Sequence, residues 1–117
     1  MLETLKKLLG IVRDATGIEP VPFQTESYKD ALPALTYSFY CSTDDGAKAH
    51  YRFLTRVHAE SYQECLEISD KLSSALVTLG DETLEGLVIE GNGGGSLVDT
   101  QTGIPQQINY YDVKARS

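Results

Sequence analysis

The first sixteen residues carry apolar side chains at the spacing of one helix face. Five apolar residues recur every three or four positions: Leu2, Leu5, Leu8, Leu9 and Val12. This spacing predicts an amphipathic helix over residues 2–16, ending at Gly17, because glycine readily adopts the left-handed conformation that closes helices. Lysines lie within the apolar pattern and no small-residue cleavage site follows. We therefore interpret the segment as a helix rather than a secretory signal, and expect a protein made and folded in a cytoplasm.

The spacing of apolar residues changes between residues 18–33 and the segment that follows. Residues 18–33 hold three of the four prolines and predict a loop, because proline lacks an N–H and restricts its predecessor. From Leu35 to Cys41, every second residue is apolar. Residues 35–42 and 51–59 each alternate between apolar and polar side chains, which predicts an antiparallel hairpin. The connecting segment 42–46 ends in Asp-Gly, a strong turn signal.

A second helix is predicted from its start signal. Ser61 and Glu64 have the spacing of a capping box, in which each side chain bonds a free backbone N–H of the first turn. An apolar stripe follows and runs to a terminating Gly80. Its members are Cys65, Ile68, Leu72, Ala75, Leu76 and Leu79.

The last third of the chain is β-like. The pattern predicts strands over residues 84–90 and 107–115. Between them it predicts a flexible glycine-rich hairpin loop over residues 91–96, and it allows one more strand over residues 96–101. The order is therefore α-β-β-α-β-(β)-β. We expect an α+β fold in which residues 1–117 form one domain. Two helices would pack on one face of a four- to five-stranded, mainly antiparallel sheet.

The charge balance excludes some classes of partner. Ten Lys and Arg against seventeen Asp and Glu give a net charge of −7. A protein that grips DNA or an anionic membrane needs clustered positive charge. No apolar run approaches the length of about 20 residues that a membrane helix needs.

The residues that could support catalysis do not converge in the sequence. Cys41 and Cys65 lack metal-ligand spacing and are interpreted as buried thiols. His50 and His58 lie eight residues apart on one predicted strand, and the glycine-rich segment has no lysine of the kind a phosphate loop needs. We expect no enzymatic activity, no cofactor and no metal.

The tyrosines point to an interaction surface instead. Tyr40 and Leu54 fall on the predicted outer side of the hairpin, and one member of the adjacent pair Tyr110 and Tyr111 must face the same way. Each outward tyrosine is either a lone exposed ring or an interface anchor. Two loops are further candidates for ordering on a partner. Their residues are Asp44, Asp45 and Gly46 in the first and Gly93, Gly94 and Gly95 in the second.

The order of these elements is similar to that of a known group of virion proteins. A leading helix is followed by a proline-bearing loop ending in Pro33-Ala34-Leu35-Thr36-Tyr37, and then by a hairpin whose second strand spans residues 51–59. A capped helix with Ser61 and Glu64 follows, and an aromatic late strand closes the chain. The whole chain resembles the tail terminator, or tail completion, proteins of long-tailed bacteriophages and prophages, which include minor capsid and head–tail joining proteins.

The resemblance implies a structural role in the virion. It implies a homo-oligomeric ring, hexameric, that caps the tail tube, stops its polymerisation and joins the tail to the head. Its partners would be the tail tube protein and the head–tail connector proteins, and DNA would pass through without specific binding. An acidic lumen would repel DNA phosphates at short range. The alternative is a small cytoplasmic α+β module that binds a ligand or a regulatory partner in a concave apolar pocket.

Overall fold

The computed structural model describes residues 1–23, 32–44, 46–79, 82–98 and 102–116. Two helices and five strands follow one another in these residues. Their bounds are α1 Leu2–Thr16, β1 Val21–Pro22, β2 Ala34–Asp44, β3 Lys48–His58, α2 Tyr62–Leu76, β4 Val88–Val98 and β5 Pro105–Arg116. Neither described helix has the length and apolar character needed to cross a membrane.

The strands form one mixed sheet in the order β1-β2-β3-β5-β4. The pairs β2–β3, β3–β5 and β5–β4 are antiparallel, and β1 lies parallel to β2 beside Thr36 and Tyr37. Both helices cover the same face, where they share one apolar core with the sheet. The α+β fold expected from the sequence, with two helices on one face, is therefore confirmed.

Helix α1 has the predicted bounds. Gly17 follows it with φ of 72°, and its N–H donates to the carbonyl of Arg13 at 2.8 Å. Leu8 and Val12 are completely buried in the core, while Leu2 is exposed at the first turn. The segment after the helix departs from the prediction, because Val21–Pro22 forms the short strand β1 within the expected loop. The rest of that predicted loop, residues 24–31, lies outside the described residues.

The hairpin of β2 and β3 is longer than predicted at its turn. Residues 42–44 continue β2, and β3 begins at Lys48. The alternation on the helix face holds along β3, where Tyr51, Phe53, Thr55 and Val57 are buried. It fails at the far end of β2. Cys41 is exposed, contrary to the prediction of a buried thiol, because it lines an open cleft beside the first turns of α1. Cys65 is buried as predicted.

Helix α2 begins as predicted and ends earlier. The Ser61 hydroxyl accepts from the Glu64 N–H at 3.2 Å, as expected for the N-cap. The helix stops at Leu76, not at Gly80, which lies outside the described residues. The reason is tertiary: Val77 is extended, and the N–H of Thr78 donates to the carbonyl of Ile89 at 2.9 Å, which ties the chain to β4. Leu79, placed in the apolar stripe by the sequence, is therefore exposed.

The prediction for the glycine-rich segment was wrong. A tight turn over residues 84–87, with positive φ at Glu85 and Gly86, precedes β4, so the strand begins at Val88 rather than Leu84. Residues 91–96 are not a loop but part of β4, hydrogen-bonded to β5. Residues 96–98 are the end of the same strand rather than an additional one.

Glycine is required at two positions where β4 meets β5. The register shifts between Gly91 and Gly94, which marks a bulge, and Gly93 within it has φ of 85°. A Cβ on Gly94 would lie 2.2 Å from the carbonyl oxygen of Ile108. The two strands therefore approach too closely there for any side chain. The local composition that reads as a loop is what this close pairing needs.

The first prediction concerns the core contribution of α2. Leu72 is completely buried among residues of both helices and the sheet. Leu72→Ala should lower the free energy of unfolding by about 2–5 kcal/mol, because it leaves a cavity in a packed core. Chemical denaturation measures the change. Lys71→Ala, one residue away and exposed, serves as the control and should change stability by less than about 0.5 kcal/mol.

The second prediction concerns the close approach of β4 and β5. Gly94→Ala should destabilise the protein by about 1–3 kcal/mol, because the methyl group collides with backbone that cannot rotate away. Gly95→Ala is the matched control, since nothing lies within 4 Å of a Cβ at that position. Equal stabilities of the two variants in thermal denaturation would contradict the close pairing.

Candidate interaction surface

The face of the sheet opposite the helices, here called the outer face, holds the candidate interface residues. Across β2, β3 and β5 its residues align in rungs set by the strand register. One rung contains Ser38, Leu54 and Tyr110, and the next contains Tyr40, Arg52 and Asp112. The outer face is thus built from residues far apart in the chain, brought side by side by two antiparallel pairings.

The tyrosine pair on β5 divides between the two faces. Tyr111 is 1% exposed on the helix face, and its hydroxyl shares a hydrogen bond with that of Ser73 on α2 at 2.9 Å. Its ring lies 6.4 Å from that of Phe53. Tyr111 is therefore a core residue, which corrects its inclusion among the interface candidates, and Tyr110 is the member that faces outward.

Tyr40, Leu54 and Tyr110 form an apolar patch at the centre of the outer face. Leu54 and Tyr110 are directly opposed on neighbouring strands, and both are half-buried. Tyr40 is 50% exposed and lies diagonally from Leu54, within reach of an aromatic ring. We call these three residues the tyrosine patch. Exposed tyrosine beside aliphatic surface is a composition typical of protein interfaces.

Charged side chains border the tyrosine patch on one side. Arg52 and Asp112 form an ion pair at 3.3 Å, and Lys114 approaches Glu90 at 3.9 Å. The amide of Asn92 also donates to Asp112, at 2.9 Å. These pairs are partly exposed, so they contribute little to stability. Their effect is to surround an apolar centre with polar groups, which sequence reasoning did not anticipate because it depends on the register of β5.

The other end of the outer face is buried and polar. Thr36 and His58 are both buried, and the Thr36 hydroxyl lies 3.0 Å from Nε2 of His58. Gln106, paired in register with His58, is buried beside them. At the edge, the guanidinium of Arg56 lies 4.0 Å from the centre of the Phe23 ring. The side chains of Thr36, His58 and Gln106 at this end are buried. Among the described residues, the tyrosine patch is therefore the accessible apolar part of the outer face.

The two candidate loops have different outcomes. Asp44 ends β2 and its carboxylate accepts from the N–H of Gly46 at 2.9 Å, so this turn is held by its own side chain. Asp45 lies outside the described residues. The second loop does not exist as such, because Gly93, Gly94 and Gly95 belong to β4.

Ionisable side chains line clefts in the part of the chain that the structure describes. That part has no cluster of three or more His, Cys, Asp or Glu side chains able to hold a metal ion. An open cleft of about 930 Å³ lies between the first turns of α1 and the end of the hairpin. Its walls mix charged residues such as Glu3, Lys7 and Asp44 with apolar ones such as Leu87.

Comparison with protein-family models and with curated proteins found no match for this chain.

The third prediction follows from the buried hydroxyl of Tyr111. Burial raises the pKa of Tyr111, and the hydrogen bond with Ser73 opposes this only in part. Below the unfolded pKa of about 10 the neutral ring contributes its full stability, and this is lost as the pH rises above it. The unfolding free energy should therefore fall above pH of about 10 less steeply in Tyr111→Phe than in the wild type.

Urea denaturation across that alkaline range measures the difference. Tyr110→Phe, which removes a hydroxyl from the outer face and not from the core, is the matched comparison. Burial also raises the pKa of Cys65, but that thiol is common to all three proteins and cancels in the comparison. Identical slopes for wild type and Tyr111→Phe would contradict the assignment.

Proposed function

We propose that this chain is a structural protein of a bacteriophage or prophage virion, which forms an oligomeric ring that caps the tail tube and joins tail to head. The observation that carries the proposal is the tyrosine patch, an apolar centre on a sheet face that the helices leave uncovered. The element order that resembles tail terminator proteins supports the phage context. By that resemblance the ring is hexameric and located in the virion, at the junction of tail and head.

The physical properties of the chain are compatible with such a ring. A ring former needs two different contact surfaces on one small domain, so that each copy binds the next by rotation. A net charge of −7 would repel DNA that passes through a channel instead of holding it.

The fourth prediction tests self-association through the tyrosine patch. Tyr40→Ala should lower the fraction of oligomer while leaving the melting temperature nearly unchanged, because the ring is half exposed and outside the core. Size-exclusion chromatography with light scattering gives the oligomer mass, and negative-stain electron microscopy shows whether it is a ring with a channel. Glu67→Ala, exposed on α2, should behave as wild type.

Two results would count against the proposal. A wild-type protein that stays monomeric over a wide concentration series, and that does not bind to tail tubes, would contradict a ring at the tail end. If Tyr40→Ala loses stability to the same extent as assembly, the Tyr40 side chain supports the core and not an interface.

The second candidate, a small module that binds a ligand or a partner, is favoured by the cleft beside α1. Its volume of about 930 Å³ is that of a small-molecule site. This function predicts a monomer or dimer, with ligand-induced NMR shifts at lining residues such as Thr4, Tyr51 and Leu87. The ring predicts a larger oligomer without such shifts.

A further inference from the structure

Strand β4 ends the sheet and is exposed along most of its length. Every residue from Glu90 to Val98 is exposed, and no described strand pairs with β4 on the side away from β5. The start of β4 is closed by Thr78, whose N–H donates to the Ile89 carbonyl at 2.9 Å and whose hydroxyl accepts from the Ile89 N–H at 3.1 Å. Residues 91–98, which we call the β4 edge, lie beyond this cap.

The backbone of the β4 edge presents hydrogen-bonding groups outward. Because Thr78 bonds both backbone groups of Ile89, these groups point away from β5. In an antiparallel ladder, residues alternate between facing the partner strand and facing away. Ile89 pairs with Val113 of β5. The β5 partners of Gly94, Ser96 and Val98 each lie an even number of positions from Val113, so they face the same way as Val113. The N–H and carbonyl groups of these three residues therefore also point away from β5.

The β4 edge carries a bulge around Gly93 but lacks the charged side chains and the proline that protect many exposed strands. Natural edge strands carry charged side chains or proline, which discourage pairing with another chain. In a chain with 23% charged residues, residues 91–98 contain neither a charge nor a proline. Such an edge is suited to receive another strand.

The opposite side of the sheet offers a matching strand. β1 covers β2 at Thr36 and Tyr37, and no described strand pairs with residues 38–44 on the side away from β3. We call residues 38–44 the β2 edge. Residues 40–44 are exposed, and the β2 edge has no charged residue before Asp44. The two edges are also similar in length.

The strand directions allow these edges to meet in two copies of the chain. β2, β3, β5 and β4 are successively antiparallel, so β4 runs opposite to β2. A second copy that continues the sheet, with its helices on the same side, therefore presents its β2 antiparallel to β4. The directions of the two strands therefore suit an antiparallel pair.

We propose that the β4 edge of one copy pairs in antiparallel orientation with the β2 edge of the next copy. The proposal rests on the ring proposed above and names the contact that builds it. Because the two surfaces differ, the contact is heterologous and repeats from copy to copy, as closure by rotation requires. Tyr40 lies on β2, so its ring would sit beside the joint.

A proline at Ser96 tests the backbone contact. Ser96→Pro removes an outward N–H but no bond to β5, whereas Ser96→Ala keeps that N–H. Both variants lose the bond from the Ser96 hydroxyl to Gln107, so they differ in the outward N–H and in the φ angle that the proline ring fixes. Ser96→Pro should need at least a tenfold higher concentration for half assembly, with a melting temperature close to that of Ser96→Ala.

Cross-linking tests which two edges meet, even if Ser96→Pro folds poorly. The native thiol of Cys41 is exposed on the β2 edge, and Cys65 is buried. Ser96→Cys treated with a short bifunctional maleimide should give a ladder of dimers, trimers and larger species on a denaturing gel. Ser96→Cys combined with Cys41→Ser should lose the ladder.

The outcomes separate this inference from the ring proposal. Wild-type rings together with an unchanged Ser96→Pro oligomer and no ladder would overturn the edge contact but leave the ring. A dimer that persists without Cys41 would indicate β4 pairing with β4, which also overturns it. If the wild-type protein forms no oligomer and the Ser96→Cys variant gives no ladder, both the edge contact and the ring proposal are contradicted.

Discussion

The position of β5 between β3 and β4 is the constraint on which the rest of the structure depends. The last strand of the chain becomes an inner strand of the sheet, paired along its full length with β3 and with β4 on its other side. The pairing with β3 joins residues 48 to 68 positions apart in the chain, so local sequence preferences do not specify it. It aligns Phe39, Phe53 and Tyr111 in one rung under the helices. The same register sends Tyr110 to the outer face.

The placement of β5 also explains the unusual composition of β4. Because β5 supplies hydrogen bonds along that strand, residues 91–98 are extended despite containing four glycines. The Gly94 backbone lies against that of Ile108, and the bulge at Gly93 accommodates the change of register. The outcome is an edge that carries no charged residue between Gly91 and Val98. In the described residues the outer face and both sheet edges are partly exposed, which gives surface suited to contact between copies.

Much of the local architecture could be predicted from the sequence. The bounds of α1, the N-cap Ser61 and the alternation along β3 all depend on contacts between residues close in the chain. The assignment of Tyr40 and Leu54 to the outer face followed from the same alternation. The end of α2 could not be predicted in this way. It depends on Thr78 pairing with Ile89, a contact that no helix-stop signal encodes.

The sequence by itself determined the α+β class, two amphipathic helices, the β2–β3 hairpin and the acidic charge, because periodicity and turn chemistry act over a few residues. Tertiary structure alone decided which tyrosine of the adjacent pair is buried, that Cys41 is exposed, and that a glycine-rich segment is a strand. Each of these depends on packing or pairing with another element of the fold. Alternation shows that two neighbouring residues face opposite ways, but only the packed helices determine which face is covered.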